Sequence, residues 1–299
     1  MTKFAKVSAM TAALILCGAV NAATITLDGS NLSIEDAWKI ANNEADVAID
    51  PKAMKLLEDS YKLVLRSAAS GQQVYGLTVG VGLNKDQKLF TADGKLTDAV
   101  IKASRAFNYN ALRSHSAAVG EMMPTNLARL SMVVRLNTLL TGKSGAQPRV
   151  AELYRDFLNK GVTPLIPSEG SIGEADILMA SPVGAVMIGE WKAEVKGKVV
   201  DGKAALKKAG ITPLVPEGKD ALAILSNNSV AVAYAHRSGA QRRPRDRTHA
   251  DRVRPLARRS ERQRGSDPSA DDRPASLRRS GADRRRHARR AQGLVPVER

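Results

Sequence analysis

Between residues 50 and 160 the chain is punctuated by proline and glycine at intervals that suit helices and little else. Asp50-Pro51 opens a run in which Met54, Leu57, Tyr61 and Val64/Leu65 recur every three or four residues, an apolar stripe down one helical face. Aspartate caps that run, and proline, whose missing N–H is no loss in a first turn, starts it. Pro124 and Pro148 start two further stretches, 125–141 and 148–160, and Gly142 and Gly161 end them. A helix is also expected over roughly 97–117. An apolar one follows from about Glu174 to Gly189, and a long one begins in "GKDALAILSNNSVAVAYA". Strand signals are few. "ATITLDG" reads as a short strand running into an Asp-Gly turn, then "SIEDAWKIANNE" as a short helix capped by Ser33. "WKAEVKGKVVDG" alternates like a hairpin over about 192–201. The expected fold is mainly α.

The pattern holds only for part of the 299 residues. From Arg237 onward there are 20 arginines, no lysine and 8 acidic residues, a net charge of +12 out of +16 for the whole chain. That tail has no Ile, Phe, Tyr, Trp or Met. It cannot bury enough surface to offset its ordering entropy, so residues 237–299 are expected to be disordered. The switch falls abruptly, in mid-helix, and its Arg/Ala/Pro/Ser/Asp/Gly composition is what a GC-rich gene yields out of frame. The tail is therefore expected to be a frameshift product, the chain being truncated after about residue 236. An arginine-rich nucleic-acid arm is the competing reading, and nucleic acid is a partner only if the tail is genuine. At the other end Lys3 and Lys6, the apolar "AMTAALILCGAV" and small residues before Ala22 read as a signal peptide over 1–22. That implies a periplasmic or secreted protein with no membrane anchor after cleavage. Cys17, the only cysteine, would leave with the signal, which excludes disulfides and thiol chemistry. The body, 23–236, contains two histidines, His115 and the terminal His236, so no metal site is expected.

Three stretches of the body carry chemistry-bearing residues. "YGLTVGVG" (75–82) is a glycine-rich loop with a phenol at its head; a tyrosine serves as general base only where its surroundings favour the oxyanion. "NALRSHSAAVGE" (110–121) sets Asn110, Ser114 and His115 within about a turn and a half of helix. "RLNTLLTGKSG" (135–145) places Arg135 and Asn137 near a helix end. Taken singly, Tyr75 is equally a loop anchor, His115 a core histidine and Arg135 a salt-bridge partner.

In this order the stretches resemble the histidine and phenylalanine (aromatic amino acid) ammonia-lyase family. The family's Tyr-Gly-x-x-Thr-Gly-x-Gly, Ser-His and Arg-x-Asn-x-Leu segments are matched in turn. "PLIPSEGSIG" (164–173) resembles its Pro-x-x-Pro-x-x-Gly-Ser-x-Gly loop, and "KDALAIL" its Lys-Glu-Gly-Leu-Ala-Leu. The resemblance runs from about Thr24 to Ala235. It implies the N-terminal half of a helical-bundle fold, normally a homotetramer with shared sites, and a carbon–nitrogen lyase acting on histidine or an aromatic amino acid. It makes Tyr75 the base and puts His115, Asn137, Ser226 and Asn227 against a small amino-acid substrate. Thr78-Val79 stand where the family has Asn-Thr, and Ser226 where it has Asn before Gly.

The family's electrophile, a methylidene-imidazolone, forms from consecutive Ala-Ser-Gly: the Gly nitrogen attacks the Ala carbonyl and the Ser loses water. Here Gly173 and Asp176 match the flanks, and only Glu174 and Ala175 lie between them. There is no hydroxyl to eliminate and no glycine amide to attack, so no such cofactor is expected. Glu174 is then either a helix first-turn acid or a replacement acid working with Tyr75 on a different elimination or a cationic amine. Two functions remain open: a lyase without the usual electrophile, or a non-catalytic exported amino-acid-binding protein that retains the pocket.

Overall fold

The computed structural model describes residues 23–82, 98–171 and 173–241. The expected signal peptide, residues 83–97, residue 172 and residues 242–299 lie outside them. The chain opens with a βαβ unit. Strand β1 (Ala23–Leu27) and β2 (Ala45–Ile49) pair in parallel with Ile25 opposite Val47, and α1 (Ile34–Ala41) crosses between them. Ser33 caps α1 as its sequence demands, its hydroxyl accepting from Asp36 N–H at 3.0 Å. Asp50 does the same for α2 (Pro51–Ala69), accepting from Lys52 and Ala53 N–H at 2.8 and 3.0 Å.

Two helices form the core. In α4 (Thr125–Leu139), Leu127, Leu130, Val133, Leu136 and Leu139 are fully buried, and Arg129 and Arg135 are buried with them. A helix buried on all sides needs neighbours all round, and α1 and α5 (Pro148–Asn159) pack on it. Arg129 ties the three together. Its Nε donates to Ala41 O (2.8 Å), and its Nη2 to Ile40 O (2.9 Å) and Leu158 O (3.1 Å). A cation thus sits on the negative C-terminal ends of α1 and α5. Burial without a carboxylate pulls its pKa down to about 10. Asn159, at the end of α5, pairs with the free edge of β2, accepting from Val47 N–H at 2.8 Å and donating to Val47 O at 2.9 Å.

The second core helix, α6 (Ile177–Met187), packs against α3 (Asp98–His115) and α8 (Asp220–Leu225). Contact is close at Gly184, where a Cβ would fall 2.5 Å from Leu112 Cδ2 and 3.0 Å from Ile224 Cγ2. Strand β3 (Val119–Met122) pairs antiparallel with β5 (Pro167–Glu169), while β4 (Val162–Pro164), β6 (Lys192–Val195) and β7 (Lys198–Asp201) form an antiparallel sheet. The expected hairpin is β6–β7. Helix α7 (Gly202–Ala209) follows it. No helix among the described residues is long and apolar enough to cross a membrane.

The structure corrects two expectations. The apolar helix starts at Ile177, not Glu174: Asp176 N–H bonds to Asn227 O at 2.7 Å, and the Asp176 carbonyl, accepting from Ala180 N–H at 2.8 Å, begins the helical ladder. The long helix expected from "GKDALAIL" is two, α8 and α9 (Ser229–Gln241), broken at Ser226-Asn227-Asn228. Asn227 makes the break. Its amide donates to Ile224 O (2.7 Å) and its side-chain oxygen accepts from Ser229 N–H (2.9 Å), so one residue closes α8 and opens α9. Helix α9 continues through Arg237 to Gln241.

Candidate functional site

Of the residues flagged by sequence, the Tyr75 loop and Ser226-Asn227 lie against α8 or at its end. Tyr75 heads a loop that folds on itself. Leu77, Thr78 and Val79 N–H all bond to Val74 O, and Thr78 Oγ1 accepts from Val74 N–H (2.7 Å) and donates to Gln72 O (3.0 Å). The Tyr75 phenol is 43% exposed and accepts from Gly82 N–H at 2.9 Å. Gly76 sets the loop against α8. Its φ is +73°, where a side chain is strained, and a Cβ there would lie 2.8 Å from Leu222 Cδ2. Tyr75 is therefore one residue from direct contact with α8.

The other end of α8 meets the segment that lacks the electrophile triad. Asp176 is 1% exposed. Besides its N–H on Asn227 O, its carboxylate accepts from Ala231 N–H at 2.8 Å in the first turn of α9. Asp176 is a clamp between α6 and the α8–α9 break. Ala175 is buried and Glu174 is exposed, in a bend outside the helix. Gly173 N–H donates to Ser171 Oγ at 3.3 Å. The two residues between Gly173 and the anchored Asp176 do not fit a methylidene-imidazolone, since neither brings a hydroxyl to lose or a glycine nitrogen to close the ring.

His115 ends α3, which leads into β3 and so to β5 and the loop at Gly170. Its Nδ1 donates to Ala111 O at 2.8 Å, since a carbonyl only accepts. Ser226 lines a cavity, whereas Asn227 spends its side chain on the helix break. Asn137 lies apart, its Oδ1 accepting from Gly29 N–H at 3.1 Å after β1.

Sequence reasoning missed the cavity itself. It encloses about 310 Å³ beside α8 and is lined by Arg135, Lys143, Lys219, Thr138, Leu222 and Ser226 among others, with no acidic residue in its wall. Arg135 meets no carboxylate among the described residues. It donates through Nη2 to Ala223 O, and its Nε is buried without a partner. Burial pulls the Arg135 and Lys219 cations below their ordinary values. The neighbouring Asp220 is wholly buried and holds α8 in place by accepting from Gln147 N–H (2.9 Å) and Glu217 N–H (2.8 Å). Burial outweighs those bonds and pushes its carboxyl up to about 6. The sequence signals for this cluster were the quoted "RLNTLLTGKSG", which contains Arg135 and Lys143, and "KDALAIL", which contains Lys219 and Asp220. No grouping of three potential metal ligands occurs among the described residues.

A glycine-rich tyrosine loop, a histidine-ended helix and a polar break between two helices are set on a helical core, and the family that the chain matches is the aromatic amino acid lyases. The profile of that family matches residues 32–254, and the chain belongs to it. Among curated relatives, histidine ammonia-lyase of Treponema denticola is 38% identical over 213 residues, covering 69% of this chain and 39% of its own length. Histidine ammonia-lyase of Caldanaerobacter subterraneus is 33% identical, covering 70% of this chain and 39% of its own. The chain thus spans about two-fifths of the length of the curated relatives it matches. Among solved structures, the ergothioneine-degrading ergothionase of Treponema denticola, in complex with desmethyl-ergothioneine sulfonic acid, superposes with a TM-score of 0.66. It is 35% identical, covering 71% of this chain and 41% of its own. The tyrosine aminomutase of Streptomyces globisporus gives 0.63 at 28% identity, covering 71% and 38%.

Proposed function

We propose that this chain belongs to a lyase that removes a quaternary amine from an imidazole-bearing amino-acid betaine of the ergothioneine kind, without an electrophilic cofactor. The observation that carries the reading is the Glu174-Ala175 pair standing where ring closure requires Ala-Ser-Gly. A primary amine departs as a neutral molecule only from its protonated form, so its elimination depends on keeping that proton. A quaternary nitrogen has no N–H to lose, so it departs as a neutral amine at any pH. In this mechanism the Tyr75 oxygen takes the β-proton, the C–H electrons form the double bond to the α-carbon, and the C–N electrons leave with the amine. His115 offers Nε2 to the substrate ring. Glu174, exposed at the position of the lost electrophile, supplies a counter-charge to the cationic nitrogen. Likeness to a protein described as ergothioneine-degrading supports this substrate class. Likeness to histidine ammonia-lyases supports the imidazole. The proposal includes export past Ala22 and assembly as a homo-oligomer.

The experiment is incubation of the purified protein with ergothioneine, following the conjugated acrylate by absorbance and the released trimethylamine chemically. Product formed by the wild type and not by Tyr75→Phe is the expected result. Release of ammonia from histidine would overturn the proposal. Tight binding of ergothioneine with no product would favour the amino-acid-binding protein instead.

A further inference from the structure

The approach to α8 is fastened from two sides by side chains that the proposed chemistry does not use. Glu217 accepts from the Tyr61 O–H of α2 through Oε1 (2.8 Å) and from Arg105 Nη2 of α3 through Oε2 (3.1 Å). Asn108 of α3, 1% exposed, adds a second tie: it donates to Gly218 O at 3.1 Å and accepts from Ala221 N–H at 2.8 Å. Gly218 lets the segment turn against α2, with a φ of +58° and a position where a Cβ would lie 3.2 Å from Tyr61 Cε2. The Arg105 ion pair alone contributes little, because the Arg105 side chain is about half exposed. Tyr61 supplies the steadier bond. Burial, and then the Glu217 carboxylate, raise its phenol above the ordinary value, so it stays a donor throughout the neutral range.

The loop that carries Tyr75 borders what these bonds hold. Gly76 lies against Leu222, where a Cβ would fall 2.8 Å from Cδ2. Leu77, 3% exposed, lines a cavity of about 140 Å³ together with Tyr61, Arg105, Glu217 and Gly218. The two residues after Tyr75 thus border the stretch 217–222 that Tyr61, Arg105 and Asn108 fix in place. From this juxtaposition we propose that Glu217 is a positioning residue for the Tyr75 base: by bridging α2 and α3 it sets where α8 begins, and with it the seat of the loop. The proposal rests on the function proposed above and extends it by assigning what aims the base. Glu217 acts here through its two acceptor oxygens, which tie two helices to one point, rather than through its charge. A general base is sensitive to such a seat, since a displacement of about 1 Å costs about 100-fold in rate.

The test uses Glu217→Ala, Glu217→Gln and Tyr61→Phe; the last removes only a hydroxyl, so it serves should Glu217→Ala not fold. Two readouts are taken. One is hydrogen exchange at the N–H groups of Leu77, Thr78 and Val79, which bond to Val74 O, measured relative to those of Leu130 and Val133 in the α4 core. The other is kcat and KM for ergothioneine. In Glu217→Ala the loop exchanges about ten-fold faster relative to α4, and kcat falls about 100-fold while KM holds. Tyr61→Phe shows the same changes to a smaller extent. Glu217→Gln keeps both at the wild-type level, because its amide oxygen can accept from Arg105 and its N–H₂ can donate to the Tyr61 oxygen. Exchange that quickens equally in the loop and in α4 is ordinary destabilisation and overturns the proposal. If the wild type fails to turn over ergothioneine but loop exchange responds as stated, the seating by Glu217 stands and the proposed reaction falls. If turnover proceeds and neither loop exchange nor kcat changes in Glu217→Ala and Tyr61→Phe, the positioning role is wrong and the proposed reaction survives.

Discussion

Asp220→Asn tests whether burial or hydrogen bonding governs the carboxyl that holds α8 in place. Asp220 is fully buried, with its carboxyl at about 6 against 3.8 for the free side chain. A folded-state value above the unfolded one means that the folded chain holds the proton more tightly. The stabilisation is then complete below pH 3.8 and is lost as pH rises through 6. At 1.36 kcal/mol per pH unit, the interval amounts to about 3 kcal/mol, of which about 2 kcal/mol falls between pH 4 and 7. Asparagine has no such proton. It also turns an amide N–H₂ toward donors that now meet a carboxylate oxygen, a pH-independent cost of about 1–3 kcal/mol. Urea unfolding of both proteins, followed by circular dichroism from pH 4 to 7, gives the difference directly, and the other carboxylates cancel from it. The variant should be the weaker by more at pH 4, and the gap should narrow by about 2 kcal/mol toward pH 7. A gap that stays constant, or widens, would show that the Gln147 and Glu217 N–H donors outweigh burial and would refute the reasoning.

Tyr75→Phe should leave the unfolding midpoint unchanged, because the ring is 43% exposed, while turnover falls by at least about 100-fold, as expected for loss of a general base. Asp176→Ala strips the acceptor from Ala231 N–H and should cost about 1–3 kcal/mol, read as a lowered urea midpoint. Arg129→Met leaves three carbonyls, those of Ile40, Ala41 and Leu158, without their donor. Relief of a buried charge offsets part of the loss, so about 1–3 kcal/mol of destabilisation is expected by the same assay. Gly76→Ala should lower kcat more than stability, because strain at a φ of +73° is relieved by moving the Tyr75 loop off Leu222; equal kcat would show that the loop's seat on α8 does not matter.

What the sequence determined alone is local. Ser33 and Asp50 cap α1 and α2, and Pro51 and Pro148 start α2 and α5, because a cap or an N1 proline acts on backbone groups within three residues of itself. The missing triad is likewise a matter of consecutive residues. Tertiary structure decided where side chains of ambiguous allegiance spend their hydrogen bonds. Asn137 and Asn227, both read as substrate contacts, hold Gly29 and the α8–α9 break, since an amide takes whichever backbone donor the fold sets before it. Arg135 found a carbonyl rather than a carboxylate. Its grouping with Lys143 and Lys219 joins residues up to 84 positions apart, and only the packing of α8 on its neighbours brings such charges to one wall.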